Sequence, residues 1–207
     1  MAGLRERQKE DRQTRIAQVA KSLFLEHGFE KTTIEGIAQA AGMSGVTVHN
    51  YYGTKSGILL ALVAENDRAL ISRLDEEQAS CSQDVTEVMV SFSKTIMEHA
   101  VANLQKVIWR QVIATVTANA DDSISKPYFD LDQELAQVLV QKFDRMKAAG
   151  ALPPPVVPEH LGKALFHLQN ARFIQFVCSD NLQVEDVLRR IRNDLDALFT
   201  VRATVSA

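Results

Sequence analysis

A chain of 207 residues is long enough to bury a sizeable core in one or two domains, and 46% apolar with 24% charged residues is the balance of an ordinary globular protein. No apolar run approaches the ~20 residues of a membrane span, and residues 1–9 lack the apolar stretch of a signal peptide, so neither membrane insertion nor secretion is predicted. The net charge of −3 divides unevenly: residues 1–60 carry eight Lys/Arg against six Asp/Glu (+2), leaving 15 against 20 (−5), so the N-terminal end is the one suited to phosphate.

Every periodic signal along the chain is helical. Ile16, Val19, Ala20, Leu23 and Phe24 form one stripe of a first helix, and Gly28 is a natural stop. Thr32 and Glu35 stand at capping-box spacing, so Thr32 is predicted to start the second helix and leave Thr33 free in its first turn. Ser44 is placed to cap a third helix and Thr54 a long fourth one, with Ile58, Leu59, Leu62, Val63, Ala69, Leu70 and Leu74 along one side. The polar stretch 76–84 is a boundary between functional regions. Beyond it Val85, Val88, Met89, Phe92 and Ile96 make another stripe, and 104–116 is broadly apolar around Trp109. Residues 119–123 suggest a loop, with Pro127 in the first turn of a helix that carries Leu135, Val138, Leu139, Phe143 and Met146 and stops at Gly150. Leu152-Pro153-Pro154-Pro155 predicts a stiff extended connector, followed by helices over about 158–178 and 184–201. With no alternating strand pattern and no internal repeat, the fold is predicted to be all-α.

Residues 32–55 hold most of the functional information. Ala38 is small where two helices must cross closely, Gly42 follows at a turn that calls for positive φ, and Val48 is apolar on the buried side of the next helix. That pattern is a helix-turn-helix, whose second helix enters the DNA major groove. An ordinary helical corner shares those three residues but not the polar face: Thr47, His49, Asn50, Tyr51 and Tyr52 crowd hydrogen-bonding and aromatic groups together, with Lys55 just beyond.

The ordered set Ile16-Ala17-Gln18-Val19-Ala20, Leu23-Phe24, His27-Gly28-Phe29-Glu30-Lys31-Thr32-Thr33, Ile37-Ala38, Ala40-Ala41-Gly42-Met43-Ser44, Thr47-Val48-His49-Asn50-Tyr51-Tyr52 and Thr54-Lys55, leading into Ile58-Leu59, resembles the tetracycline-repressor (TetR) family of bacterial transcription regulators. The resemblance covers roughly a quarter of the chain. It implies a three-helix DNA-binding region, here 1–54, joined to a larger helical bundle for effector binding and dimerisation, here 55–207. It also implies that Val46 and Thr47 meet base edges while Thr33, His49, Tyr51 and Lys55 hold phosphates, with Ser44, Gly45 and Asn50 completing the DNA-facing set. The chain departs from the family at Ile34-Glu35 and Gly45-Val46, where many relatives carry a basic residue. Arg5, Arg7, Lys9, Arg12 and Arg15 either compensate or form an exposed helical extension, interrupted by Glu6, Glu10 and Asp11.

Catalytic chemistry is sparse. Gly42-Met43-Ser44-Gly45-Val46 fails the nucleophile-elbow pattern at its last position, and phosphate-binding glycine loops and dinucleotide fingerprints are missing. His27, His49, His99, His160 and His167 have no metal-ligand spacing. No enzyme activity, metal or cofactor is predicted. Cys81 and Cys178 form no framework and suggest small buried residues in a reducing cytoplasm.

In the last helix Val184, Val187, Leu188, Ile191, Leu195, Leu198 and Phe199 recur at three- and four-residue steps, and the helix before it is apolar on several sides. In the family these two helices pair with their copies, which makes Leu161, Leu165, Leu188, Ile191 and Leu195 candidates for a homodimer interface. Phe92, Trp109, Val112, Phe143, Phe166 and Gln169 are candidate walls of an effector cavity, with His99, Arg110, His167, Asn170 and Arg172 as further polar groups. Packed core is the competing assignment for each. The combined expectation is a homodimeric repressor, released from an inverted-repeat operator in double-stranded DNA by a small, moderately hydrophobic effector. Its rivals are a regulator controlled by a protein partner and a helical enzyme or carrier with no DNA role.

Overall fold

The computed structural model describes residues 3–76, 83–118 and 122–205. Among these the chain forms nine α-helices and no strand: α1 (Leu4–His27), α2 (Ile34–Ala41), α3 (Gly45–Tyr52), α4 (Lys55–Glu76), α5 (Val85–Asn103), α6 (Lys106–Ala118), α7 (Asp122–Ala148), α8 (Pro158–Val177) and α9 (Val184–Val205). They divide into two compact units, Met1–Asn66 with Val107–Phe129, and Asp67–Lys106 with Asp130–Ala207. Cys81, residues 77–82, residues 119–121 and the side chain of Arg5 lie outside the description.

The first unit buries the predicted stripe. Ile16, Ala20 and Phe24 of α1, Ile37 and Ala41 of α2, Val48 of α3 and Ile58 and Leu59 of α4 are all buried, with α1 packed on α2 and α2 on α3. Gly28 stops α1 at φ 81°, where its N–H returns to the Phe24 carbonyl. The start of α2 differs from expectation. Thr33 is the cap, accepting from the Gly36 N–H at 3.0 Å, while Thr32 is buried with its hydroxyl 2.8 Å from the Gly28 carbonyl oxygen. The Thr32 hydroxyl is turned back to donate to the Leu23 and Gly28 carbonyls at the end of α1, so the cap moves one residue on to Thr33. In α6 burial falls on one face, Ile108, Trp109, Val112, Thr115 and Val116, with Val107 exposed, so the apolar stretch is amphipathic rather than buried all round.

Three further expectations are corrected. Ala69 is exposed, off the buried side of α4. Helix α7 begins at Asp122, which places Pro127 inside it rather than in its first turn. The Pro153–Val156 segment folds back on itself, the Val156 N–H donating to the Pro153 carbonyl at 3.0 Å, so it is a hydrogen-bonded turn and not an extended spacer.

In the second unit α5 is buried along almost its whole circumference and packs against α9 and α8. Gly162 of α8 sits against α7 so closely that a Cβ there would meet the Val140 backbone nitrogen at 2.9 Å. Arg172 of α8 makes a two-pronged contact with Asp194 of α9 (2.7 and 2.6 Å), which holds the guanidinium pKa above its usual value. Arg192 reaches Glu87 of α5 at 2.7 Å. Val187, Ile191 and Leu195 point into this core. Cys178, expected to be buried, is exposed at the end of α8, where the chain leaves the core for the turn into α9.

Candidate nucleic-acid interface

Helices α2 and α3 form the predicted corner. Gly42 adopts φ 67°, ψ 38°, and the reversal is locked by the Met43 N–H donating to the Ala38 carbonyl at 2.8 Å. Only glycine enters this left-handed region without strain. Ser44 then caps α3, its Oγ accepting from the Thr47 N–H at 3.1 Å and lying 2.8 Å from the Thr47 hydroxyl. Val48, with no exposed surface, anchors α3 to the core.

Anchoring by Val48 turns the rest of α3 outward. Val46 is 70% exposed, the most exposed large apolar residue described. An isolated valine in water gains nothing for the fold, and its methyls suit the thymine methyl in the major groove. His49 and Asn50 are exposed, while Gly45, Thr47 and Tyr51 are partly so. Ser44 and Thr33 are exposed too, although their hydroxyl oxygens already accept cap bonds.

Two residues of the expected polar face turn to the scaffold. The Tyr52 hydroxyl donates to the Gln13 carbonyl of α1 at 2.9 Å. Burial, with Glu65 and Tyr51 adding smaller pushes, raises its pKa to about 12, so it remains a phenol donor. The Lys55 ammonium donates to the carbonyls of Phe29 (2.6 Å) and Glu30 (3.3 Å) and lies 4.3 Å from the Phe29 ring centroid. Lys55 thus fastens the start of α4 to the α1–α2 loop. Lys55→Ala is expected to destabilise the protein by about 1–3 kcal/mol, from lost charge-assisted bonds and the cation–π contact in a half-exposed setting. Thermal unfolding reads this directly, and an unchanged midpoint would leave Lys55 with no structural role.

Gly57 carried no sequence signal, yet it matters at the same junction. A Cβ there would fall onto the Tyr52 carbonyl oxygen. Close approach of this kind follows from backbone placement, which side-chain patterning does not encode.

The predicted effector residues are all buried: Trp109 and Val112 in the first unit, Phe92, Phe143, Phe166 and Gln169 in the second. Gln169 is 2% exposed, and among the described residues its amide nitrogen has no hydrogen-bond partner. The Ser93 hydroxyl, also buried in the second unit, has none either. Of the further polar groups, Arg172 is engaged by Asp194, Asn170 donates to Asp132 at 3.0 Å, and His167 is exposed. An open cleft of about 280 Å³ in the second unit is lined by Asp84, Val85, Leu152, Val156, Leu161 and Phe199, and none of the six predicted effector residues lines it. Among the predicted interface residues, Leu165, Ile191 and Leu195 are already buried within one chain and need no second copy to leave water. Leu161 and Leu188 remain partly accessible.

Asp132 carries a pH dependence. Burial, partly offset by the Asn170 amide, pushes its carboxyl up to about 6 from an ordinary 3.8. The folded state then holds the proton more tightly than the unfolded one. The ionised carboxylate burdens the fold above pH 6, and the burden is relieved as pH falls from 6 towards 3.8. Asp132→Asn is expected to stabilise the protein by up to about 3 kcal/mol well above pH 6 and to do little near pH 4. Midpoints measured across that range check the sign; a gain that does not depend on pH would refute it.

Residues 16–62 match the family described as bacterial regulatory proteins, tetR family. The fatty acid metabolism regulator protein of Bacillus subtilis is 27% identical over 109 residues, 51% of this chain and 56% of that protein. The probable HTH-type transcriptional regulator YttP of the same organism is 22% identical over 144 residues, 68% of this chain and 69% of that protein. The structure of Thermus thermophilus FadR, a TetR-family repressor in complex with lauroyl-CoA, superposes with a TM-score of 0.70 at 21% identity, covering 90% of this chain and 93% of that one. The capped corner, its outward-facing α3 and these matches agree: residues 16–62 are those of the bacterial regulatory proteins of the tetR family, and the fold of the chain is that of TetR-family repressor structures.

Proposed function

We propose that the chain is a homodimeric repressor, released from an inverted-repeat operator by a small, moderately hydrophobic effector. Residues 1–54 serve as the DNA-binding region and 55–207 as the effector and dimerisation region. The observation that carries the DNA half is Val46, held in water at the start of α3 beside Gly45 and Thr47. Val46 and Thr47 meet base edges, while Thr33, His49 and Tyr51 contact phosphate, with Ser44 and Asn50 beside them. Lys55 fastens the start of α4 to the loop before α2.

Selection of bound fragments from the source genome by the full-length protein tests the reading. A recurrent inverted repeat is expected, because a twofold dimer presents α3 twice. On that site Val46→Ala and Thr47→Ala are each expected to weaken binding by about 1–3 kcal/mol, with little change on random DNA. Equal loss on both DNAs would mean that α3 does not read sequence through these positions. Recovery of no fragment above background would remove the function altogether.

The effector half is supported by the relatives and by the buried Phe92, Phe143, Phe166 and Gln169. A fatty-acid regulator and an acyl-CoA-bound repressor among them make a fatty acyl compound the first class to test. The dimer is supported by exposed apolar residues on α8 and α9, Ile174 (40%) and Leu198 (56%), beside the partly accessible Leu188. Effector action requires different affinities for the DNA-competent and released states, and the shift cannot exceed that difference.

A further inference from the structure

The recognition corner is short of cations where phosphate must be held. Glu35 stands in the first turn of α2, Gly45 and Val46 open α3, and the Lys55 ammonium is occupied by the Phe29 and Glu30 carbonyls. A different cation lies beside the turn. The Arg15 Nη2 sits so close to Gly42 that a Cβ on that glycine would be 3.4 Å from it. Arg15 is exposed, and no hydrogen bond or ion pair among the described residues engages it. Its helix borders α3 at both ends: Arg15 reaches the turn before α3, and the Gln13 carbonyl accepts from Tyr52 at the end of α3. Gln13 and Arg15 lie two residues apart, so a single turn of α1 reaches both the turn before α3 and the end of α3.

We propose that Arg15 is a phosphate-binding residue of the operator interface, laid across the glycine turn to grip the DNA backbone next to the start of α3. A guanidinium is always charged and offers a planar fork matched to two phosphate oxygens, and here none of its donors is spent among the described residues. Gly42 permits the positive φ, and the Arg15 guanidinium lies within contact distance of where its Cβ would be. The competing role is structural, since the guanidinium also lies near the C-terminal end of α2, where a cation complements the helix dipole. The proposal rests on the assignment of the first unit as the DNA-binding region.

Salt dependence separates the two roles. Full-length protein would be titrated onto a fluorescent mixed-sequence duplex at salt concentrations between about 50 and 200 mM. Arg15→Ala and Arg15→Gln are each expected to reduce the slope of log affinity against log salt by about 0.9 per bound protomer, and Arg15→Lys to restore most of it. Using both Ala and Gln keeps the test open should one variant fold poorly. An unchanged slope with a lowered melting temperature would overturn the proposal and leave Arg15 as a helix-end cation. Wild-type protein that does not bind the duplex at any salt concentration would instead remove the DNA assignment itself.

Discussion

Gly57→Ala is expected to cripple the N-terminal unit although it adds one methyl group to a half-buried first turn. The new Cβ would fall onto the Tyr52 carbonyl oxygen, and backbone cannot yield as a flexible side chain does. Tyr52 ends α3 and its hydroxyl is bonded to α1, while the Thr54 N–H donates to that same carbonyl at 2.7 Å. Relief therefore requires α4 to move away from α3, at about 1–3 kcal/mol or more, as for other overpacked sites. A lowered unfolding midpoint together with weakened binding to every DNA sequence is the expected pair of results. Gly45→Ala is the control: nothing lies within 4 Å of its Cβ and Gly45 sits in a helix, so it should melt no earlier than wild type. If Gly57→Ala melted like Gly45→Ala, the close approach of α4 to α3 would be wrong.

Lys106→Met is expected to be equally damaging to the second unit. The Lys106 ammonium donates to the Ser179 and Leu182 carbonyls, at 2.8 and 2.7 Å, and lies 3.8 Å from the Phe176 ring centroid. It thereby closes the turn between α8 and α9, whose carbonyls face no other cation among the bonds described. Methionine keeps the aliphatic stem but removes the charge, and the loss should be about 2–4 kcal/mol. Hydrogen exchange should show residues 179–183 opening more readily, while amides in the first unit stay protected. Combining it with Phe176→Leu in a double-mutant cycle separates the cation–π part, expected at about 0.5–2 kcal/mol. Wild-type stability for Lys106→Met would show that the turn is held by its own backbone.

The corner of the fold was legible because its requirements are local. Gly42 needs positive φ, Ser44 needs a donor two or three residues on, and Val48 needs a buried face; each is written in residue type and spacing. The outward face of α3 follows from the same periodicity, which leaves Val46, His49 and Asn50 exposed. Thr32 and Thr33 show where local rules run out. Both threonines can cap α2, and the choice depends on whether the end of α1 claims one hydroxyl, which it does through Gly28.

Long-range partners were the other blind spot. The sequence by itself determined an all-helical chain, the corner with its outward face, and the resemblance of residues 16–62 to the tetR family, because helix periodicity, capping and turn chemistry act within a few residues. Only the tertiary structure decided that Lys55 is spent on the Phe29 and Glu30 carbonyls, that Tyr52 reaches Gln13, and that Arg15 covers Gly42. It also decided that Leu165, Ile191 and Leu195 belong to the core of a single chain, because a helical stripe records that a face is buried but not what buries it.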